Sequence, residues 1–158
     1  MPLRKDLFHV LFSFAALMPD PTPEFIENYI EHYNLLKFMI PSTTNLTHTP
    51  LFEQIVHIYK DTFPNTSIMG CETEDELVQK YFIHDIPPAS WGPAAWSVLY
   101  CLIGAHPERV RVLLHTWQSI LPCPQCKQHF IDYFNANPMP ESVDELHYYI
   151  ETMQSKMK

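Results

Sequence analysis

Residues 91–102 read Trp-Gly-Pro-Ala-Ala-Trp-Ser-Val-Leu-Tyr-Cys-Leu. Trp91, Ala95, Val98, Leu99 and Leu102 recur at three- and four-residue intervals, the spacing that lines side chains along one face of an α-helix. Gly92 and Pro93 mark the expected start, because proline suits a first helical turn, where its missing N–H would have had no partner anyway. The stretch therefore predicts a helix with one buried face, and that face requires other helices to cover it.

Downstream the same period recurs. Pro107 opens a second helix with Val110, Leu113, Leu114, Trp117 and Leu121 facing inward. Cys123 precedes a third carrying Phe130, Ile131 and Phe134, which fades over residues 135–140. Ser142 and Glu145 form a capping box for a last helix through Leu146, Tyr149, Ile150 and Met153. Four helices on short connections predict a compact bundle.

Upstream, a helix is expected over residues 4–17, ending at Pro19. Thr22 caps a second, with Pro23 at its first position and Phe25, Ile26, Tyr29, Ile30, Tyr33 and Leu36 as its core stripe. It ends before Pro41, and residues 42–50 read as a polar loop. Residues 51–62 form a third helix, and a Thr73/Glu76 capping box starts a fourth that runs to about Ile83. Pro87-Pro88 is the best boundary. It divides an N-terminal helical domain or packing extension, residues 1–86, from a bundle over residues 87–158. The expected class is all-α.

Composition agrees. The 158 residues include only 3 Gly but 15 Pro, which argues against a turn-rich β design and against glycine-rich phosphate loops. Net charge is -8 with no dense Lys/Arg cluster, so no nucleic-acid face is expected. Arg4 and Lys5 precede an apolar run over residues 7–18, but Asp6 and His9 break it and Pro19-Asp20-Pro21 offers no cleavage site. A buried amphipathic helix is the expectation over a signal peptide, and the run is too short to span a bilayer. Sequons at Asn45 and Asn65 leave the compartment open.

The chemistry concentrates in residues 121–130, Leu-Pro-Cys-Pro-Gln-Cys-Lys-Gln-His-Phe. Two cysteines three apart at a helix start can close a small disulfide, and the unpaired N–H groups there lower a thiol pKa. Such a pair can accept electrons from another dithiol by exchange. His129 lies one turn beyond Cys126, on the same side. Three readings stand: a redox pair, inert thiols, or a zinc site of Cys123, Cys126 and His129 completed by His115, His106 or Cys101. No second cysteine knuckle supports zinc, and no βαβ pattern supports a thioredoxin fold.

Taken together, Trp91-Gly92, Trp96, Leu99 and the later C-x-x-C resemble the Erv/ALR family of sulfhydryl oxidases, whose pattern is W-G-x-x-x-W-x-x-L-H followed by C-x-x-C and often x-x-H. Tyr100 stands where that family has His. The likeness covers about residues 91–153, and its short, Leu-Pro-Cys-led form is most similar to the thiol oxidases of large DNA viruses, of poxvirus and African swine fever virus type. The resemblance implies a helical bundle holding FAD at one end. It makes Cys123 the interchange thiol that meets a protein dithiol substrate, thioredoxin-like or viral. Cys126 becomes the thiol beside the flavin, which reduces oxygen to hydrogen peroxide. It implies that Trp91, Trp96, Tyr100 and His129 line the flavin, that Tyr149 stands near a family Trp, and that Tyr148 and Tyr149 substitute by stacking. It also implies a homodimer paired through the first two bundle helices and, for a viral protein, a place in host cytoplasm or virion. The family's H-N-x-V-N segment falls on residues 154–158 and does not match, nor does the helix beyond it. FAD is then held weakly, completed by a partner chain, or lost. The last case leaves an Erv-like interaction module without cofactor.

Two cysteines stay outside this scheme. Cys101 reads as a small buried apolar side chain, and Cys71 sits in a polar turn without a neighbour, so no shuttle dithiol is evident. Glu53 and His57, at i and i+4, read as an exposed or packing face rather than a metal pair.

Overall fold

The computed structural model describes residues 2–17, 21–41, 44–47, 50–64, 73–83 and 87–157. Among these, every regular element is helical: α1 Pro2–Ala16, α2 Pro23–Leu36, α3 Leu51–Thr62, α4 Glu74–Val78, α5 Pro88–Ala105, α6 Val110–Ile120, α7 Pro124–Ala136 and α8 Val143–Met157. The protein is all-α, as the periodicity requires. Cys71 and Asn65 lie outside the described residues.

Local chemistry sets the helix starts. Thr22 is extended and its hydroxyl accepts the Phe25 N–H at 3.1 Å, with Pro23 in the first turn. The Thr73 hydroxyl accepts the Glu76 N–H at 3.1 Å and donates to Glu76 Oε1 at 3.2 Å, and a π-helical turn, Gln79–Ile83, extends α4. Helix α5 begins at Pro88, four residues before the expected start, because Pro87 is extended and Pro88 presets the first turn. Pro93 therefore lies inside the helix, and the Ala89 carbonyl has no N–H four residues on to receive. Pro107 opens a 3-10 turn, Pro107–Arg109, before α6 rather than α6 itself.

The apolar run near the N-terminus becomes the centre of the molecule. Leu7, Phe8, Val10, Leu11, Phe12 and Phe14 are all at most 1% exposed. A helix apolar on every side is one surrounded by others, and α1 lies against α5 and α3 while α2 lies against α6. Polar bonds pin this arrangement. Tyr29 OH donates to the Leu11 carbonyl at 2.6 Å, and the Arg109 guanidinium donates to the Leu35 carbonyl at 3.2 Å. The His9 ring joins three segments, with Nδ1 2.8 Å from Tyr81 OH and Nε2 3.0 Å from Ser90 Oγ.

One hydrophobic core contains residues from both sides of position 87. The first two helices of the C-terminal bundle, α5 and α6, are covered by α1 and α2 of the same chain. The homodimer pairing expected through those two helices is left to the faces that α1 and α2 do not cover, where Ser97, Arg111, Val112 and His115 are exposed. No helix among the described residues is long and apolar enough to cross a membrane. Glu53 and His57 are exposed, and among the described residues no metal-binding cluster forms around them.

Candidate functional site

The turn between α6 and α7 builds the cysteine pair. Cys123 adopts an extended backbone and its sulfur caps α7, accepting the Cys126 N–H at 3.2 Å. That N–H is one of the donors a helix start leaves unpaired, so the sulfur stands at the positive end of the helix dipole. The Cys123 carbonyl accepts the Lys127 N–H at 2.9 Å, which closes the first turn. Both cysteines are free thiols and half-buried. Burial first, then a hydrogen bond to Cys123 and the negative charge of Cys123, push the Cys126 thiol up to about 12. For Cys126 this reverses the lowering expected at a helix N-terminus: its second place in the motif sets it inside the fold, where desolvation penalises its thiolate.

Cys126 lies on the wall of a cavity of about 520 Å³ between α5, α6, α7 and α8. From α5 come Ala89, Trp91, Gly92, Pro93 and Trp96; Trp117 faces them from α6; Cys126, His129 and Phe130 come from α7, and Gln154 from α8. The rings form one packed wall. Trp96 stacks on Phe130 with centroids 6.1 Å apart and planes 19° apart, and Trp117 meets both edge-on, at 6.3 Å and 5.9 Å. Trp91 is 4% exposed and meets Phe14 of α1 edge-on at 5.1 Å, so it fills core and cavity wall together. A Cβ added at Gly92 would meet nothing within 4 Å.

Four of the sequence-derived residues thus converge: Cys126, Trp91, Trp96 and His129. Cys123 stands beside them at the head of α7 but does not line the cavity. Tyr100 sits one step behind the wall, where its hydroxyl donates to Gln154 Oε1 at 2.7 Å. Tyr149 is elsewhere. Its hydroxyl donates to the Asn137 carbonyl at 2.6 Å, its ring stacks on Phe134 at 6.3 Å, and Phe130 separates that pair from the cavity. Burial pushes Tyr149 up to about 12 and so keeps its proton for that bond. With Tyr133 and the 72% exposed Tyr148 it borders a separate groove on α7 and α8. Tyr148 and Tyr149 are therefore apart from the flavin-lining set assigned by the resemblance.

Sequence reading overlooked Gln154 and treated Trp117 and Phe130 as core only. The two aromatics carried a faint signal in their helical spacing, whereas Gln154 entered only as the first position of a family segment that residues 154–158 do not match. Among the described residues no three His, Cys, Asp or Glu side chains gather as metal ligands. His115 is exposed on α6, and burial raises the Cys101 thiol on α5. A zinc site from Cys123, Cys126 and His129 is therefore not assembled. Among the described residues no Lys or Arg lines the cavity. Compared with protein-family models, curated proteins and solved structures, the chain matches none.

Proposed function

We propose that this chain is a flavin-dependent thiol oxidase of the Erv/ALR kind, which forms a disulfide in a protein dithiol through Cys123 and Cys126. The observation that carries the reading is an asymmetry: Cys126, and not Cys123, lines the aromatic cavity with Trp91, Trp96 and His129. A planar ring suits those walls, since aromatic faces and apolar side chains take flat conjugated surface out of water. Gly92 adds to the fit. Alanine in a helix is more stable than glycine by roughly 0.5–1 kcal/mol, and the protein's own packing at Gly92 gives no reason for glycine. A ligand approaching that backbone would supply one. The described lining, which carries no cationic side chain, fits the ring of FAD rather than its diphosphate. Trp91, Trp96, His129 and Phe130 would hold the ring, with affinity set by stacking.

The residues divide the exchange chemistry. In the oxidised pair, a substrate thiolate attacks Cys123 Sγ, the bond to Cys126 breaks, and Cys126 leaves with the electron pair and takes up a proton. The second substrate thiol then gives up its proton, attacks the mixed disulfide and releases Cys123. The substrate is oxidised to a disulfide and the pair is reduced to the two thiols seen here. His129 offers a ring nitrogen at the cavity rim that can take the Cys126 proton when the pair is reoxidised. FAD held there would supply the two-electron acceptor for Cys126 and the means of passing those electrons to oxygen as hydrogen peroxide. Substrate proteins of thioredoxin-like or viral origin fit this scheme.

The test is to saturate the purified protein with FAD, add dithiothreitol without air, and follow the visible flavin band. The band bleaches in the wild type and stays in Cys126→Ser, while admitted oxygen restores it with peroxide release. A wild type that gains no flavin band and consumes no oxygen overturns the oxidase. The lack of a cationic lining side chain among the described residues would then favour a second reading, an Erv-like module that keeps the bundle and the thiols but takes no cofactor.

A further inference from the structure

Among the described residues Gln154 is the one carboxamide on the cavity wall. Its oxygen is engaged, because Tyr100 OH donates to Oε1 at 2.7 Å. A carboxamide carries one acceptor oxygen and two N–H donors, so with Oε1 turned to Tyr100 the Nε2 donors remain, and no partner holds them among the described residues. Tyr100 is itself constrained. Its ring lies 5.5 Å from that of His147, which is 3.1 Å from Glu151, so His147, Glu151 and Gln154 share one face of α8 toward α5. Burial and then the charge of Glu151 raise the Tyr100 phenol and keep its hydroxyl a donor.

We propose that Gln154, oriented by Tyr100, supplies the hydrogen-bond donor for the acceptor edge of a flavin ring in this cavity. The inference rests on the flavin reading above and adds what distinguishes a flavin from any flat aromatic molecule. Stacking on Trp96 and Phe130 is indifferent to ring polarity, whereas an amide N–H selects a ring edge with carbonyl acceptors. Two-electron reduction makes that edge more negative, so a fixed donor there holds the reduced form more tightly than the oxidised one. Gln154 then sets both affinity and redox potential, with Tyr100 as its positioning residue.

The experiment compares wild type, Gln154→Met and Tyr100→Phe. Binding of FAD and of riboflavin is titrated by flavin fluorescence, the midpoint potential of the bound flavin is measured, and the ligand-free proteins are melted. Methionine keeps the length of the side chain and removes the donors. Gln154→Met weakens both flavins about tenfold, or about 1.4 kcal/mol, and lowers the midpoint potential. Tyr100→Phe gives a smaller loss in the same direction. A wild type that binds neither flavin overturns the functional reading itself. If the wild type binds flavin and Gln154→Met matches it in affinity and potential, the donor role fails while the flavin reading stands. Weaker binding with an unchanged potential and a lower ligand-free melting point overturns it too, as the mark of a purely structural residue.

Discussion

Two residues show how a single side chain registers in the chemistry of the fold. His32 is fully buried, close to Phe14, Tyr29 and Trp117, and neither ring nitrogen has a hydrogen-bond partner among the described residues. Desolvation by burial lowers it from 6.5 to about 3, so it folds neutral and takes up its proton only when the chain unfolds. The unfolded state binds the extra proton between those values. The stability owed to neutral His32 is therefore complete above about 6.5 and is lost as the pH falls toward about 3, by about 1.4 kcal/mol per unit. Urea midpoints taken from pH 7 to pH 4 check this, with His32→Phe expected to flatten the profile; an equally steep profile in that variant would assign the loss to other groups. Gly92 makes the opposite kind of prediction. Gly92→Ala raises folding stability by about 0.5–1 kcal/mol, since a Cβ there meets open space, yet it weakens flavin binding. An alanine variant that binds flavin as tightly as the wild type would show that no ligand uses the space.

At the scale of the element, α7 gives Cys123 two roles. Its sulfur is a redox atom in the proposed reaction and also the acceptor that caps the helix. The roles separate by substitution. Cys123→Ser leaves an oxygen that can accept the Cys126 N–H, so thermal stability stays close to the wild type. Cys123→Ala loses the cap and about 1 kcal/mol. Both abolish dithiol oxidation. Melting curves beside oxygen uptake test the pair: equal stability in the two variants would mean that the sulfur is no cap, and residual oxidation in either would remove Cys123 from the reaction. Helix α5 carries the other compromise. Pro93 inside it removes a backbone hydrogen bond, and Pro93 sits on the cavity wall with Gly92 and Trp96. Two of the poorest helix formers thus fall where the helix borders the cavity.

For the whole molecule, the decisive contact is between the halves. The N-terminal helices are not a distant appendage: α1 lies on α5, α2 lies on α6, and Phe14 closes the back of Trp91. Removing them would uncover Val98, Leu99, Leu102, Val110, Leu113 and Leu114, each now fully buried. A fragment of residues 87–158 is therefore expected to aggregate or to lack cooperative melting, and to bind flavin poorly. A soluble, cooperatively melting fragment that binds flavin as the full chain does would show that the C-terminal bundle folds alone and that the N-terminal helices serve another purpose.

Helix content and most helix ends were legible in the sequence, because they depend on local chemistry: apolar residues at helical spacing, Thr22 and Thr73 as caps, prolines at the breaks. The cysteine pair at a helix start was legible for the same reason, whereas its order came only from the family resemblance, and which sulfur lines the cavity depends on the packing of four helices. Boundaries failed only where backbone geometry outweighed pattern, as at Pro88. What the tertiary structure alone decided involves residues far apart in the chain. Gln154 reaches the wall that Trp96 and Cys126 share, Tyr149 turns away to bond the Asn137 carbonyl, and α1 becomes the central helix of one core. Periodicity reports which face of a helix is buried, but not which helix buries it.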